Sequence, residues 1–338
     1  MKYTKKEAKE WARENMRGVC NVIMPTFTSD LRGLNEAAIR HDVRREIALG
    51  FWGALVVSEC GTTKEEYKHF LEIVIDEARG RLHTVVHAGF DTFDDVKEIC
   101  QHAEGVGADA LLLSYPPTFY PRSDADIYDY SAAALKATNL ATVLFAVHQW
   151  NFGRVHPADL SPQVVADLAE LPNAVAIKCE GGGPGNAALV QALMSSADKL
   201  LISDPREYNS PAWVKFFGMQ WMGTSNFEAF GDCVPRYFAL MHCNQWDEAM
   251  RLYWQIHPIR MTRLADMASF AGANFIHRFS WKYQGWLNGF NGGPLRLPVM
   301  KITDAAAHRL RDAMIKAGTI PPDTKGDVGD FFVGRNPA

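Results

Sequence analysis

Between about residue 19 and residue 246, short apolar runs alternate with amphipathic helical stretches, and this alternation limits the possible folds more than any other feature of the chain. The runs are "VCNVIMPTF" (19–27), "WGALVVS" (52–58), "HTVVHAG" (83–89), "ADALLLSYP" (108–116), "ATVLFAVH" (141–148), "AVAIKCE" (174–180), "KLLISD" (199–204) and "MQWMGTSN" (219–226). Runs this short, separated by helical stretches, are the sequence sign of repeated βα units on a parallel sheet. Eight strands with eight helices is the count of a (β/α)8 TIM barrel. A doubly wound open sheet would carry a glycine fingerprint after its first strand, and "MPTFTSD" has none. The expected organisation is an N-terminal helical segment over 1–18, the barrel over 19–246, and a C-terminal helical extension and tail over 247–338. The last stretch, "PPDTKGDVGDFFVGRNPA", reads as irregular surface chain.

Composition narrows the function classes. The chain has 338 residues, 47% hydrophobic and 22% charged, with a formal net charge of −4, which suits a large buried core and gives no basic face for nucleic acid. No run approaches the roughly 18 apolar residues of a membrane span, and the charged N-terminus lacks the apolar stretch of a secretory signal. The expectation is therefore a cytoplasmic protein with no membrane or nucleic-acid partner. The six cysteines are scattered, without CxxC spacing, and read as reduced, mostly buried thiols. His83 and His87 lie four apart on a strand, roughly 13 Å, too far to share a metal ion. No cofactor and no metal are expected.

The chemistry centres on Lys178, at the end of the sixth apolar run. In a barrel that end is the face where active sites are built. Alternation puts Lys178 on the side of Ala174 and Ala176, small residues that leave room inside. An apolar setting would favour a neutral amine able to form a Schiff base with a carbonyl. The alternative is a lysine whose head reaches solvent or pairs with Glu180. Cys179 should point the other way and pack. The run "EGGGPGN" after the strand presents backbone N–H groups or simply a flexible loop.

Five segments, "MPTFTSD…GLN", "GALVVSECGTT", "GADALLLSYPPTFY", "AVAIKCEGG" and "NGGPLRLPVMKI", together resemble the dihydrodipicolinate synthase and N-acetylneuraminate lyase superfamily over about residues 18 to 318. The resemblance implies a barrel in which Lys178 forms an imine with pyruvate or another 2-oxo acid, followed by aldol cleavage, condensation or dehydration. It also implies a homotetramer and no cofactor beyond the covalent lysine imine.

Two departures from the family pattern bear on the site. The Gly-Thr-Thr-Gly-Glu stretch that holds the substrate carboxylate is replaced by "SECGTT". Gly61 aligns with the second glycine, leaving Ser58, Glu59 and Cys60 before it, or Thr62 and Thr63 supply the hydroxyls after a local shift. Glu59 pointing inward would repel an anion. The strand-5 tyrosine is replaced by Phe145, which cannot carry a proton. The candidates for that work are His148, suited to acid/base chemistry near neutrality, and Tyr120, which resembles a tyrosine that completes a neighbouring subunit's site. Glu59 and Glu180 are further acids, with pairing to Lys178 favoured for Glu180. Trp150, Phe152, Trp281, Tyr283 and Trp286 are expected mainly to pack, but Trp150 at the mouth would suit an apolar or aromatic substrate half, as in the superfamily's hydratase-aldolases. The expected function is a metal-independent class I lyase. The alternatives are a non-catalytic 2-oxo acid binding or regulatory barrel, and a hydrolase or decarboxylase using Glu59 and His148.

Overall fold

The computed structural model describes residues 2–180, 183–268 and 277–338, with no side-chain detail for 183–187. In the glycine run after Lys178, residues 181 and 182 lie outside the described residues, and Gly183 opens the helix Gly183–Leu193. Each apolar run supplies one strand: β1 (Gly18–Ile23), β2 (Gly53–Val56), β3 (His83–His87), β4 (Ala110–Leu112), β5 (Ala141–Ala146), β6 (Ala174–Cys179), β7 (Leu201–Ser203) and β8 (Trp221–Gly223). Helices separate them, the sheet order is β7-β6-β5-β4-β3-β2-β1-β8, and the fold is a (β/α)8 barrel followed by C-terminal helices. β7 and β8, the ends of that order, meet through a side chain: the Ser203 hydroxyl accepts from the Gly223 N–H and donates to the Gly223 carbonyl, both at 3.1 Å. The strands are shorter than the apolar runs because their last residues leave the ladder to build loops.

Internal contacts divide the chain into two compact units, one of residues up to Cys20 with His83–Thr224, the other of Asn21–Leu82 with Ser225–Ala338. In the first unit β3 to β7 pair in parallel, and the first residues of β1 pair with β8. Its N-terminal helix Ala8–Asn15 buries Trp11 and Ala12. The charged residues ahead of that helix satisfy main-chain groups: Lys5 Nζ donates to the Leu135 and Thr138 carbonyls at 2.8 Å, and the Tyr3 hydroxyl accepts from the Ala141 N–H at 2.7 Å. Just before β4, the buried Asp109 carboxylate holds the Thr84 N–H at 2.9 Å, Lys2 Nζ at 2.8 Å and His83 Nδ1 at 3.4 Å.

The second unit is mostly helical, and its helices start where the sequence offers a side-chain cap. Asn35 Oδ1 accepts from the Ala38 N–H at 3.0 Å to open Glu36–Ala48, and Thr63 with Glu66 forms a capping box that opens Lys64–Ala78. The tail is more ordered than its composition predicts. It contains the helix Val328–Val333 with Phe331 fully buried, and the Asn336 N–H donates to Asn291 Oδ1 at 2.8 Å. Two phenylalanines in "GDFFVG" supply the apolar face that the glycines and prolines around them concealed. No described helix is long and apolar enough to cross a membrane. Five cysteines are buried free thiols, and Cys243 is exposed.

Candidate active site

The β5–β6–β7 ladder sets Lys178 opposite Phe145 on one side and Ser203 on the other. The lysine is only 5% exposed. Its Nζ lies 2.8 Å from Glu180 Oε2, 3.4 Å from Thr224 Oγ1 and 4.1 Å from the centroid of the Phe145 ring. Of the two settings open in sequence, an apolar one and a pairing with Glu180, the structure shows the pairing. A carboxylate, a hydroxyl and a π-face compensate the loss of water around the ammonium. Glu180 is fixed through its main chain, whose N–H donates to the Ala146 carbonyl at 2.7 Å and whose carbonyl accepts from Arg206 Nη2 at 2.9 Å. Cys179 faces away into apolar packing, and burial pushes its thiol well up, so it is no nucleophile.

The residues after β5 form an aromatic wall beside the lysine. Trp150 Nε1 donates to the Phe145 carbonyl at 3.0 Å, and the two rings meet edge-on at 5.5 Å between centroids. Tyr115 packs edge-on against Trp150 at 5.4 Å, with its hydroxyl 2.8 Å from Ser131 Oγ. Phe152 is wholly buried beside Tyr115 and belongs to the core. His148 is largely exposed, and its Nδ1 lies 3.4 Å from Oδ2 of the buried Asp159. Burial raises the Asp159 carboxyl, against the opposing pull of His148. Tyr120 is 67% exposed and stacks under the Arg154 guanidinium, 3.4 Å from its ring centroid. The structure brings Lys178, Glu180, Phe145, Trp150 and Thr224 into one connected set of contacts, and it gives His148 and Tyr120 partners outside that set.

Residues 15–202 match the model of the dihydrodipicolinate synthetase family, more than half of the chain. The chain belongs to this family. A 4-hydroxy-tetrahydrodipicolinate synthase from Methanopyrus kandleri is 26% identical over 321 residues, covering 90% of this chain and 98% of its own. The corresponding synthase from Hyphomonas neptunium is 29% identical over 213 residues, 62% of this chain and 69% of its own. Among solved structures, a dihydrodipicolinate synthase has a TM-score of 0.74 at 20% identity, covering 90% of this chain and all of its own. The N-acetylneuraminate lyase of Fusobacterium nucleatum has a TM-score of 0.73 at 19% identity, covering 89% and 98%. At those identities the structural likenesses speak for the fold.

In this member of the dihydrodipicolinate synthetase family, the strand-2 loop is held within the second unit. Ser58 is buried, and its carbonyl accepts a long hydrogen bond, 3.4 Å, from Thr62 Oγ1. Glu59 does not stand as an uncompensated charge, because the Arg278 guanidinium bonds its carboxylate. Cys60 is fully buried, which pushes its thiol up to about 11, so it packs. Gly61 has φ +77, and a Cβ there would lie 2.6 Å from Arg296 Cβ, so the close approach of chain 296 requires glycine. Thr63 Oγ1 accepts from the Glu66 N–H at 3.2 Å as the helix cap. Of the two loop threonines, Thr62 is the one not used to start a helix.

Three polar residues here escaped the sequence reading: Thr224, Arg278 and Lys282. Lys282 Nζ donates to the Pro25 carbonyl and Thr26 Oγ1, both at 2.9 Å, and its full burial pushes its pKa down. The signal for Arg278 and Lys282 was a basic pair four apart in "HRFSWKYQGW", on one face of a helix. Buried Tyr283 and half-buried Trp286 pack on Phe331, while Trp281 is flanked by the Arg263 and Arg278 guanidiniums, each 5.6 Å from its ring centroid.

Proposed function

We propose that this protein is a metal-independent lyase in which Lys178 forms an imine with pyruvate or another 2-oxo acid. The observation that carries the reading is the buried Lys178, in contact with Glu180, at the C-terminal end of a barrel strand. Imine formation needs an amine to attack the carbonyl carbon, a proton to reach the carbonyl oxygen, and that oxygen to leave as water. Glu180 can take a proton from the attacking nitrogen and return it to the leaving hydroxyl. The protonated imine then accepts the electron pair of the carbon–carbon bond next to its α carbon as Glu180 takes the proton of the substrate hydroxyl, giving an enamine and an aldehyde; the reverse is condensation. Phe145, at the family's tyrosine position, supplies a π-face for the cation and no proton, so proton transfer falls to Glu180 in this reading. Its family's curated relatives and the lyase among its structural neighbours favour the same class.

The aromatic wall of Phe145, Trp150 and Tyr115 supports an apolar or aryl group on the non-pyruvate half of the substrate, as in a hydratase-aldolase. For Ser58 to Thr63, the role of receiving a carboxylate is supported by cations in the same unit, Arg278 on Glu59 and the buried Lys282. A hydrolase built on Glu59 and His148 is disfavoured, because each is engaged by its own partner, Arg278 and Asp159. No cofactor is proposed beyond the covalent imine, and the assembly proposed is a homo-oligomer.

Borohydride reduction in the presence of pyruvate and a panel of 2-oxo acids, followed by intact-mass measurement, tests this. The expected result is one adduct per chain that is absent in Lys178→Ala. Binding of the same acids without any adduct would replace the lyase by the non-catalytic binding barrel.

A further inference from the structure

The second compact unit contains a cavity of about 600 Å³ that the lyase reading does not use. Four of its eleven lining residues, His41, Arg44, Arg45 and Arg335, are basic, and none is acidic. Arg45 Nε donates to the Asn288 carbonyl at 2.8 Å. Arg335 Nε and Nη2 donate to the Phe290 and Trp286 carbonyls at 2.9 and 2.8 Å. His41 Nε2 lies 2.8 Å from the Gly289 carbonyl. Together these side chains cap the end of the helix Arg278–Leu287, a stabilising arrangement.

Capping uses only one edge of each guanidinium. Among the described residues, Arg45 Nη1 and Nη2 and Arg335 Nη1 have no hydrogen-bond partner, and neither arginine forms an ion pair. Asp42, an acid whose charge acts on Arg335, is buried, accepts from the Asn291 N–H at 2.6 Å, and is pushed up chiefly by its burial, which favours its neutral form. Arg335 is pushed down by burial and then by the charge of Arg45, with Asp42 opposing, so the two cations disfavour each other. Gly289, at φ +94, keeps the main chain against Arg45; a Cβ there would lie 3.1 Å from Arg45 Nε. The guanidinium is therefore held in place with its outer nitrogens unspent.

We propose that this cavity binds a small phosphate monoester, with Arg45 and Arg335 as bidentate donors to the phosphate oxygens and Arg44 as a weaker outer cation. Planar guanidinium forks match a phosphate group, and a cavity of this size leaves room for the organic part against Leu287 and Ile320. Arg44 is already paired with Glu77 at 3.1 Å, which limits its share.

The proposal is independent of the imine chemistry and is tested on the full chain by titration calorimetry with glycerol 3-phosphate and with inorganic phosphate, against chloride at equal ionic strength. Saturable binding of both phosphates is expected, weakened about tenfold in Arg45→Lys and in Arg335→Lys, which keep the charge and lose the fork. Should either lysine variant fail to fold, the exposed Arg44→Gln is expected to weaken binding by a few fold. Heat no different from that of chloride with the unaltered chain, or equal affinity in the lysine variants, would overturn the proposal. Tighter binding of a dicarboxylate such as succinate than of either phosphate would overturn the assignment of ligand class.

Discussion

A lysine ammonium removed from water needs compensation, and at Lys178 the partners are a carboxylate, a hydroxyl and an aromatic face. The lysine itself was legible in sequence, since a charged residue ending an apolar run stands out. Glu180 two positions on, and its pairing with Nζ, were legible too from strand alternation, while the main-chain bonds to Ala146 and Arg206 come only with the fold. Glu180→Gln keeps the size and loses the proton transfer, so kcat is expected to fall about 10²- to 10⁴-fold, with the reducible adduct still forming on long incubation. An unchanged rate in single-turnover measurements would remove Glu180 from the mechanism. Trp150→Ala should raise KM for an aryl aldehyde several-fold more than for acetaldehyde; equal effects on the two would detach Trp150 from substrate selection.

At the scale of elements, strand and helix identities followed from apolar periodicity, and several helix starts followed from Ser, Thr or Asn at the cap. Sequence was less informative about loop side chains, because one hydroxyl can cap a helix or bind a ligand. Thr63 is such a case: the "TKEE" capping box competes with the carboxylate role for the same oxygen. Asp109 shows how one buried carboxylate joins β3, β4 and the N-terminal segment. Burial raises its pKa, but His83, Lys2 and the Thr84 N–H outweigh that, so the folded value lies below the ordinary one. Its stabilisation is thus present above the unfolded value of 3.8 and is lost as pH falls through the depressed folded value. Asp109→Asn should cost about 2–4 kcal/mol at pH 7 and progressively less in acid, as read from urea unfolding at several pH values. A cost independent of pH would mean that packing, not charge, is what Asp109 contributes.

For the molecule as a whole, acids whose burial outweighs the charges around them shape the pH response. Glu228 is pushed up from 4.5 to about 6, chiefly by burial, and Glu46 is raised as well by the same cause. A carboxyl whose folded pKa is raised holds its proton more tightly when folded. Stability therefore falls as pH rises from about 4.5 to about 6, by roughly 2 kcal/mol from Glu228 alone. Glu228→Gln should flatten that part of the profile, and a profile unchanged by the substitution would refute the assignment. The sequence by itself determined the eight strands, their parallel βα order and the place of Lys178 at a strand end, because periodicity and strand alternation are local properties of the chain. Tertiary structure decided the distant partners: Arg278 for Glu59, Thr224 for Lys178, and the union of residues 21–82 with 225–338 in one compact unit. Those pairings join residues that lie as much as 219 positions apart, so they depend on which faces pack together, and no local pattern encodes that.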